Sequence, residues 1–422
     1  MRKPGILAAV LALAALLAAP LQAGICVMDD VPAATLLLPY FEVDLDHPSG
    51  ISTLLSINNA GSAAVVAHVV LWTDLSVATL AFDVYLTGYD VQTINLRDLF
   101  DGVLPRTASL GQDPTDQISP GGSFSQDVDF DSCDGLLPPP TPSAFFVTGL
   151  RRAHTGKFSA NLNNCGGRNF GDEIARGFVT VDAMNRCTVR VPGDPGYFAP
   201  GGTGDASNKN VLWGDTFYLD STGGVAEGET LIHIEASNKN PETSSPGQNT
   251  FYGRHVGWTA ADQREPLASH FLSRYYAQDS FALTDLVVWR DPKVNQGPFP
   301  CGVLPSWYPL GQEQIVVFDD KETVVVFAGV PNQPPPFSAA AQRTRVGGAS
   351  FPVPFAFGWV ALDLNATVPA AGPNPPEDPA AAQAWVMTLI SATGGGRPLG
   401  LGYDAIHSDS ACTPSHAQLG PP

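Results

Sequence analysis

Two carboxylates and an aromatic ring lie close together in TDLVVWRD, which covers residues 284–291. Asp285, Trp289 and Asp291 are side chains of the kind found in sugar sites, where acids stand beside an aromatic platform. Cleavage of a glycosidic bond needs two carboxyl groups that face the same bond. A buried strand pinned by ion pairs is the other interpretation, because 41 acidic residues allow many such pairs to be drawn. The sequence favours that strand, and the three side chains stay ligand-binding candidates.

The five residues ASNKN occur twice, at Ala206–Asn210 and at Ala236–Asn240. Predicted strands at 211–220 and 228–236 lie between the copies, joined by STGGVAEG. If these strands pair as an antiparallel hairpin, both copies lie at the same end of it. Asparagine amides can bind sugar hydroxyls or supply oxygens to Ca²⁺, but Asn and Ser also favour turns. Turns are the favoured interpretation, and the ligand-binding candidates are Asn208, Asn210, Asn238 and Asn240.

A run of acids, DVDFDSCD, places carboxylates at Asp127, Asp129 and Asp131. Val128 and Phe130 alternate with them as they would in a strand, which spaces the acids along one face and not around an ion. The glycine and glutamate of a helix–loop–helix calcium loop are also missing. A solvated strand face is therefore favoured, and the three aspartates are weak Ca²⁺ candidates. No other cofactor is expected.

No catalytic residue is assigned, because the motifs of the common enzyme classes are missing from the sequence. It contains neither GxSxG nor HExxH, and no glycine pattern of a nucleotide-binding loop. The eight histidines are scattered along the chain. His68 and His233 fall in predicted strands, where we expect core or sheet-face residues.

The N-terminus has the anatomy of a secretory signal peptide over residues 1–23. MRK supplies positive charge, Ile6–Ala19 is apolar, and Pro20 precedes a small residue at Ala23. An uncleaved anchor is the alternative, which Pro20 and the short apolar run argue against. No later stretch is long and apolar enough to span a membrane. We therefore expect a protein that is secreted, periplasmic or held at the cell surface.

Export changes the interpretation of the cysteines, because disulfides form in oxidising compartments. The six are Cys26, Cys133, Cys165, Cys187, Cys301 and Cys412. Their even number favours three disulfides, and sequence cannot choose among the fifteen pairings. Cys165 with Cys187 is the simplest local pair.

The elements that must position these residues are mostly strands. In Tyr40–Asp46, apolar and acidic residues alternate with the period of two of a half-buried strand. Several such strands predict an Ig-like β-sandwich over residues 24–138, and the proline-rich segment 136–143 is the predicted boundary. Residues 139–422 predict a larger β-rich domain with two short helices, at Ser143–Gly156 and Asp262–Tyr276, and proline-rich loops. The fold class is mainly β.

Composition limits the partners. The chain has 422 residues, 44% of them hydrophobic, so it can bury a sizeable core. Its formal net charge of −19 repels nucleic acid and anionic lipid. We expect no nucleic-acid partner and no membrane span after signal cleavage; the partner expected is a glycan or another surface protein.

The phrases LLLPYFEVDLD, TLLSINNA, HVVLWTDLS, FDVYLTGYDVQTINLRD and TDLVVWRD followed by GPFPCG span most of the mature chain. In them the chain resembles a group of secreted bacterial β-rich proteins with no assigned function. The resemblance implies export and a shared fold, and it carries over no catalytic residue. The predicted function is a secreted, disulfide-stabilised, non-catalytic binding or surface-structural protein. The alternatives are a polysaccharide hydrolase that uses an Asp/Glu pair and a Ca²⁺-dependent adhesin.

Overall fold

The computed structural model describes residues 31–107, 131–220, 225–247, 249–278, 282–292, 297–303, 305, 314–327, 336–364, 383–394 and 397–407. The predicted signal peptide, Cys26, Cys412, Asp127 and Asp129 lie outside these residues. Within them, every helix is too short or too polar to cross a bilayer.

The described chain is built mainly from strands, which confirms the predicted fold class. The strands are β1 (Thr35–Asp44), β2 (Ser52–Asn59), β3 (Val65–Thr73), β4 (Ala78–Leu86), β5 (Val91–Asn95), β6 (Ile174–Met184), β7 (Leu212–Trp213), β8 (Asp215–Asp220), β9 (Val225–Thr230), β10 (Ile232–Ile234), β11 (His270–Gln278), β12 (Ala282–Arg290), β13 (Gln314–Phe318), β14 (Val324–Val326), β15 (Ala341–Arg345), β16 (Phe357–Asp363), β17 (Ala384–Gly394), β18 (Arg397–Asp404) and β19 (Ile406–His407). The helices are α1 (Leu96–Phe100), α2 (Ala144–His154) and α3 (Pro241–Ser244).

These strands form three antiparallel sheets. The first sheet has the order β5-β2-β8-β9, with β7 also paired to β2, and the second has the order β10-β1-β6-β3-β4. The third runs β14-β13-β16-β11-β12-β17-β18, with β15 on β12 and β19 on β11. Among the described residues, only two pairs, Ala277↔Leu283 and Gln278↔Ala282, join β11 to β12. The third sheet therefore bends there into an outer wall (β14, β13, β16, β11) and an inner wall (β15, β12, β17, β18).

Three apolar clusters separate these layers. Side chains such as Leu55 and Val69 fill the space between the first and second sheets. Leu37 of the second sheet and Leu389 of the inner wall belong to the next cluster. The last cluster lies between the inner and outer walls. The layers thus stack in the order first sheet, second sheet, inner wall, outer wall, in a sandwich-like arrangement.

The second sheet joins chain segments from both sides of the predicted boundary at residue 138. β6 lies between β1 and β3 and pairs with both along most of its length. β8 likewise pairs with β2. Residues 24–138 therefore share their sheets with later strands and do not form a separate sandwich. The Ig-like relationship stays a prediction.

One predicted helix is confirmed and the other is wrong. The hydroxyl of Ser143 accepts a hydrogen bond from the Phe146 N–H (3.2 Å) and caps α2, as its sequence indicated. The segment Asp262–Tyr276 is not helical and instead leads into β11. Phe271 and Tyr275 both face the third core. Two residues four positions apart lie on the same face of a helix and also on the same face of a strand. The spacing of Phe271 and Tyr275 therefore could not distinguish a helix from a strand.

The described disulfides are Cys133–Cys187 and Cys165–Cys301, with Cα atoms 5.0 and 5.1 Å apart. The predicted local pair Cys165–Cys187 is wrong. The 11 residues of β6 lie between these two cysteines and hold them apart by roughly 36 Å of extended strand. The Cys165 backbone instead pairs with Phe299, which brings Cys301 within reach. Two such bridges fit a protein that matures in an oxidising compartment.

Candidate functional site

A cleft opens where strands β1 and β6 of the second sheet meet β15 of the inner wall. Its volume is about 470 Å³. Four arginines line it, namely Arg168, Arg176, Arg343 and Arg345. The whole chain has 22 basic residues against 41 acidic ones, so this concentration of positive groups departs from the average surface. We call this site the arginine cleft.

Strand pairing explains why the charged groups converge. In the ladder between β12 and β15, Asp285 lies opposite Arg345 and Val287 lies opposite Arg343. Alternate residues of a strand project from the same face, so Arg343 and Arg345 both reach Asp285. In the second sheet, Glu42 of β1 lies directly opposite Arg176 of β6.

Asp285 is held by two arginines. Arg343 donates to its Oδ2 from Nη2 at 2.6 Å and from Nε at 3.0 Å, and Arg345 donates from Nη2 at 2.9 Å. Burial alone would raise the pKa of Asp285, but the hydrogen bonds and charges of Arg345 and Arg343 outweigh it and lower that pKa. Asp285 is therefore ionised at neutral pH.

Glu42 lies between two guanidinium groups that it contacts only loosely. Its Oε2 is 3.5 Å from Arg343 Nη1, and its Oε1 is 3.6 Å from Arg176 Nε. Charge-assisted hydrogen bonds between such groups are usually about 2.7–2.9 Å long. The Tyr40 hydroxyl donates to Oε1 at 2.9 Å and orients the carboxylate. Two N–H groups in the cleft therefore have room for a better acceptor.

The opposite rim of the cleft is ordered by ion pairs and one aromatic ring. Asp172 accepts from both terminal nitrogens of Arg176 at 2.8 Å, and Asp74 accepts from Arg168 Nε at 2.9 Å. Both guanidinium groups also contact the ring of Phe170, with Cζ 4.9 and 4.5 Å from its centroid. These contacts fix the positions of the arginine side chains before any ligand arrives.

The structure does not bring Trp289 and Asp291 to the cleft beside Asp285. Trp289 is only 2% exposed and stacks on Phe251, with ring centroids 5.4 Å apart. Asp291 is buried against Arg254, whose Nε is 2.6 Å from its Oδ1. Of the three side chains, only Asp285 lines the cleft, and ion pairs hold both Asp285 and Asp291 to the strand as the other interpretation predicted.

The two ASNKN copies lie side by side, as the predicted hairpin requires. β8 and β9 form a hairpin, but Val225–Gly228 of the predicted loop belong to β9, and the predicted second strand continues as β10, which pairs with β1 in the second sheet. Asn210 Oδ1 accepts from the Ala236 N–H at 2.9 Å, and Asn210 Nδ2 donates to the Ala236 carbonyl at 3.2 Å. Asn208 accepts from Arg264 Nη1 at 2.8 Å. These amides thus stabilise the junction between the copies.

The second copy presents its own asparagines differently. Asn238 is exposed, and the Asn240 carbonyl accepts from the Ser244 hydroxyl at 2.6 Å. A ligand role for these asparagines stays a prediction.

Of the calcium candidates, only Asp131 falls in the described chain. It begins a 3-10 turn, Asp131–Cys133, where a strand was predicted. Across the described ranges, no three side chains among His, Cys, Asp and Glu are grouped so that they could hold a metal ion.

A pair of glutamates on β9 lies close to the cleft and to β18. Burial raises the pKa of Glu227, and the charge of Asp285 adds to this rise although Arg343 opposes it. Burial, Asp404 and Glu227 together raise the pKa of half-buried Glu229 from 4.5 to about 7. The contact with β18 is close, because a Cβ at Gly402 would lie 2.7 Å from Glu229 Oε1.

Glu229→Gln should raise the melting temperature at pH 8 and leave it almost unchanged at pH 4. Between 4.5 and 7 the folded state binds more protons than the unfolded state, so wild-type stability falls as the pH rises through this window. Glutamine keeps the shape of the protonated acid and removes that loss. Thermal unfolding at both pH values checks this, with the exposed Asp46→Asn as control. Equal melting temperatures at pH 8 would contradict it.

Most of the arginine cleft has no local signal in the sequence. Arg343 and Arg345 alternate in AQRTR, and Glu42 alternates in FEVDLD, which marks one face of each strand. No local signal says that these faces meet. Comparisons of the chain with protein-family models, with curated proteins and with solved structures gave no match, so the arginine cleft itself must carry the functional argument.

Proposed function

We propose that this chain is an exported, non-catalytic binding protein whose arginine cleft holds the carboxylate or sulfate groups of an acidic oligosaccharide. The observation that carries the proposal is the loose contact of Arg343 Nη1 and Arg176 Nε with Glu42, at 3.5 and 3.6 Å. A ligand anion at hydrogen-bond distance from these nitrogens would gain charge-assisted bonds that the free protein lacks.

The rest of the lining suits a sugar. Hydroxyl and amide side chains stand between the arginines, from Ser338, Gln342, Thr344 and Ser350. Such groups can exchange hydrogen bonds with sugar hydroxyls. The volume of about 470 Å³ falls in the usual range for small-ligand sites. Planar guanidinium forks match carboxylate and sulfate better than they match a neutral ring.

Hydrolysis is the second candidate, because Glu42 and Asp285 both contact Arg343 and so share one cleft. A glycosidase needs one carboxyl group that is protonated at working pH, with its pKa raised. Asp285 has a lowered pKa instead, and the two nearby glutamates with a raised pKa, Glu227 and Glu229, do not line the cleft. This charge state favours binding over bond cleavage. The calcium-dependent adhesin rests on Asp127 and Asp129, which lie outside the described residues.

Arg343→Gln should weaken binding of oligogalacturonate roughly 10-fold or more, because it removes the Nη1 donor and a charge-assisted bond contributes about 1.5–3 kcal/mol. Asp285 keeps Arg345 as its partner, so the fold should be unaffected. Glu42→Gln should act in the opposite direction and tighten binding, because it removes a competing anion. Isothermal titration calorimetry measures both changes.

The matched control is Arg106→Gln, an exposed arginine after α1 that does not line the cleft, so its replacement should leave the affinity unchanged. Sulfated dextran oligomers distinguish sulfate from carboxylate, and plain dextran oligomers test the need for charge. If neither acidic oligomer binds, or if Arg343→Gln and Arg106→Gln behave alike, the charged groups only fasten the second sheet to the inner wall.

A further inference from the structure

The outer wall exposes aromatic rings on its solvent side. Val360 and Leu362 of β16 point into the third core, so the alternate residues Phe357 and Trp359 point outward. Phe357 is 45% exposed and Trp359 is 37% exposed. In the ladder with β11, Tyr276 lies opposite Phe357. We call Tyr276, Phe357 and Trp359 the aromatic platform.

A groove of about 620 Å³ runs along this platform. Arg274 lies opposite Trp359 in the ladder, and its Cζ is 4.8 Å from the centre of the indole ring. This cation–π contact holds the guanidinium donors beside the rings. Asp320, in the turn after β13, lines the same groove and supplies acceptors. The groove therefore combines apolar ring faces with one positive and one negative group.

Gly358, between the two exposed rings of β16, allows β16 to pack closely against β13. A Cβ there would lie 1.8 Å from the Phe318 carbonyl oxygen, so β13 and β16 approach too closely for any side chain. Phe357 and Trp359 are thus fixed on a rigid strand, on either side of a residue with no side chain. Rigid strands hold binding groups more accurately than loops do.

We infer that the aromatic platform is a second binding site, which takes the pyranose rings of an uncharged glycan. A pyranose has an apolar C–H face that packs on an aromatic ring and a rim of hydroxyls that need both donors and acceptors. The platform offers the rings, Arg274 offers donors, and Asp320 offers acceptors. Because these two charges balance, the groove suits a neutral ligand, in contrast to the arginine cleft.

This inference stands apart from the proposed function. The arginine cleft lies on the side of the inner wall that faces the second sheet, whereas the platform lies on the far side of the outer wall. The third core separates the two sites. One site can therefore fail its test while the other passes.

The test is calorimetric titration of the full exported chain with cellohexaose, maltohexaose and mannohexaose. We expect at least one to bind, and Trp359→Ala to weaken that binding about 10-fold. Trp213→Ala is the matched control, because Trp213 is 41% exposed on β7, far from the outer wall. Arg274→Gln, which keeps every ring, should weaken binding by a smaller factor.

Two results would overturn the inference. One is that none of the three oligosaccharides binds the wild-type chain. The other is that Trp359→Ala and Trp213→Ala bind equally well. Analytical ultracentrifugation tests whether a second copy of this chain occupies the platform instead, by pairing with the exposed edge strand β14. A wild-type dimer that Trp359→Ala converts to monomer would assign the platform to self-association and refute the glycan site.

Discussion

Arg264→Met should lower the free energy of unfolding by about 3–5 kcal/mol, the usual cost of removing one partner from a buried ion pair. Arg264 and Asp182 are both fully buried, with Nη2 3.8 Å from Oδ1. Arg264 also donates to Thr35 Oγ1 at 3.0 Å and to the Ser207 carbonyl at 2.7 Å. Methionine fills a similar volume but leaves the Asp182 carboxylate without a cation.

Urea-induced unfolding at pH 7 measures this loss. Arg106→Met is the control, since Arg106 is exposed and its replacement should change stability by about 0.5 kcal/mol or less. A loss below about 1 kcal/mol for Arg264→Met would show that the Tyr197 and Tyr252 hydroxyls, which donate to Asp182 at 2.7 and 3.0 Å, stabilise it sufficiently without the arginine.

Replacing both Cys165 and Cys301 by serine should cost about 2–5 kcal/mol of stability. This disulfide joins residues separated by 136 positions, from the segment after α2 to the segment after β12. A crosslink over so long a loop removes much of the freedom of the unfolded chain. It also ties the segment before β6 of the second sheet to the segment after β12 of the inner wall.

The other described bridge provides the comparison. Cys133–Cys187 has a separation of 54, so its double serine variant should lose slightly less stability in the same urea experiment. Peptide mapping of the purified, unreduced protein by mass spectrometry checks both pairings. A stability unchanged by the loss of Cys165–Cys301 would contradict the stabilising role of the long crosslink.

Local patterns predicted the features that depend on neighbouring residues. Alternation over Tyr40–Asp46 predicted β1, and Ser143 marked the start of α2. The hairpin of β8 and β9 followed from two strand patterns around a glycine-rich turn. The same hairpin prediction placed the two ASNKN copies side by side, where Asn210 bonds to Ala236. In each case the necessary information lies within about 30 residues.

The arginine cleft was not predictable in this way, because its parts meet only through distant pairings. Asp285 reaches Arg343 and Arg345 after a separation of 58 and 60 residues, and Arg343 reaches Glu42 after 301. Alternation assigned Glu42 to the polar face of its strand. It could not show that another sheet would cover that face and bring arginines to it.

Hydrogen–deuterium exchange in the presence of oligogalacturonate is the most direct measurement of whether an acidic oligosaccharide binds in the arginine cleft. Among the described strands, β15 pairs only with β12, so one of its edges is unpaired. A ligand bound along that edge should slow the exchange of the β15 amides. We expect the ligand to slow amide exchange over Ala341–Arg345 and residues 166–173, and to leave exchange over Phe357–Asp363 unchanged. Protection confined to Phe357–Asp363, or no protection with saturating oligogalacturonate or sulfated dextran, would contradict it.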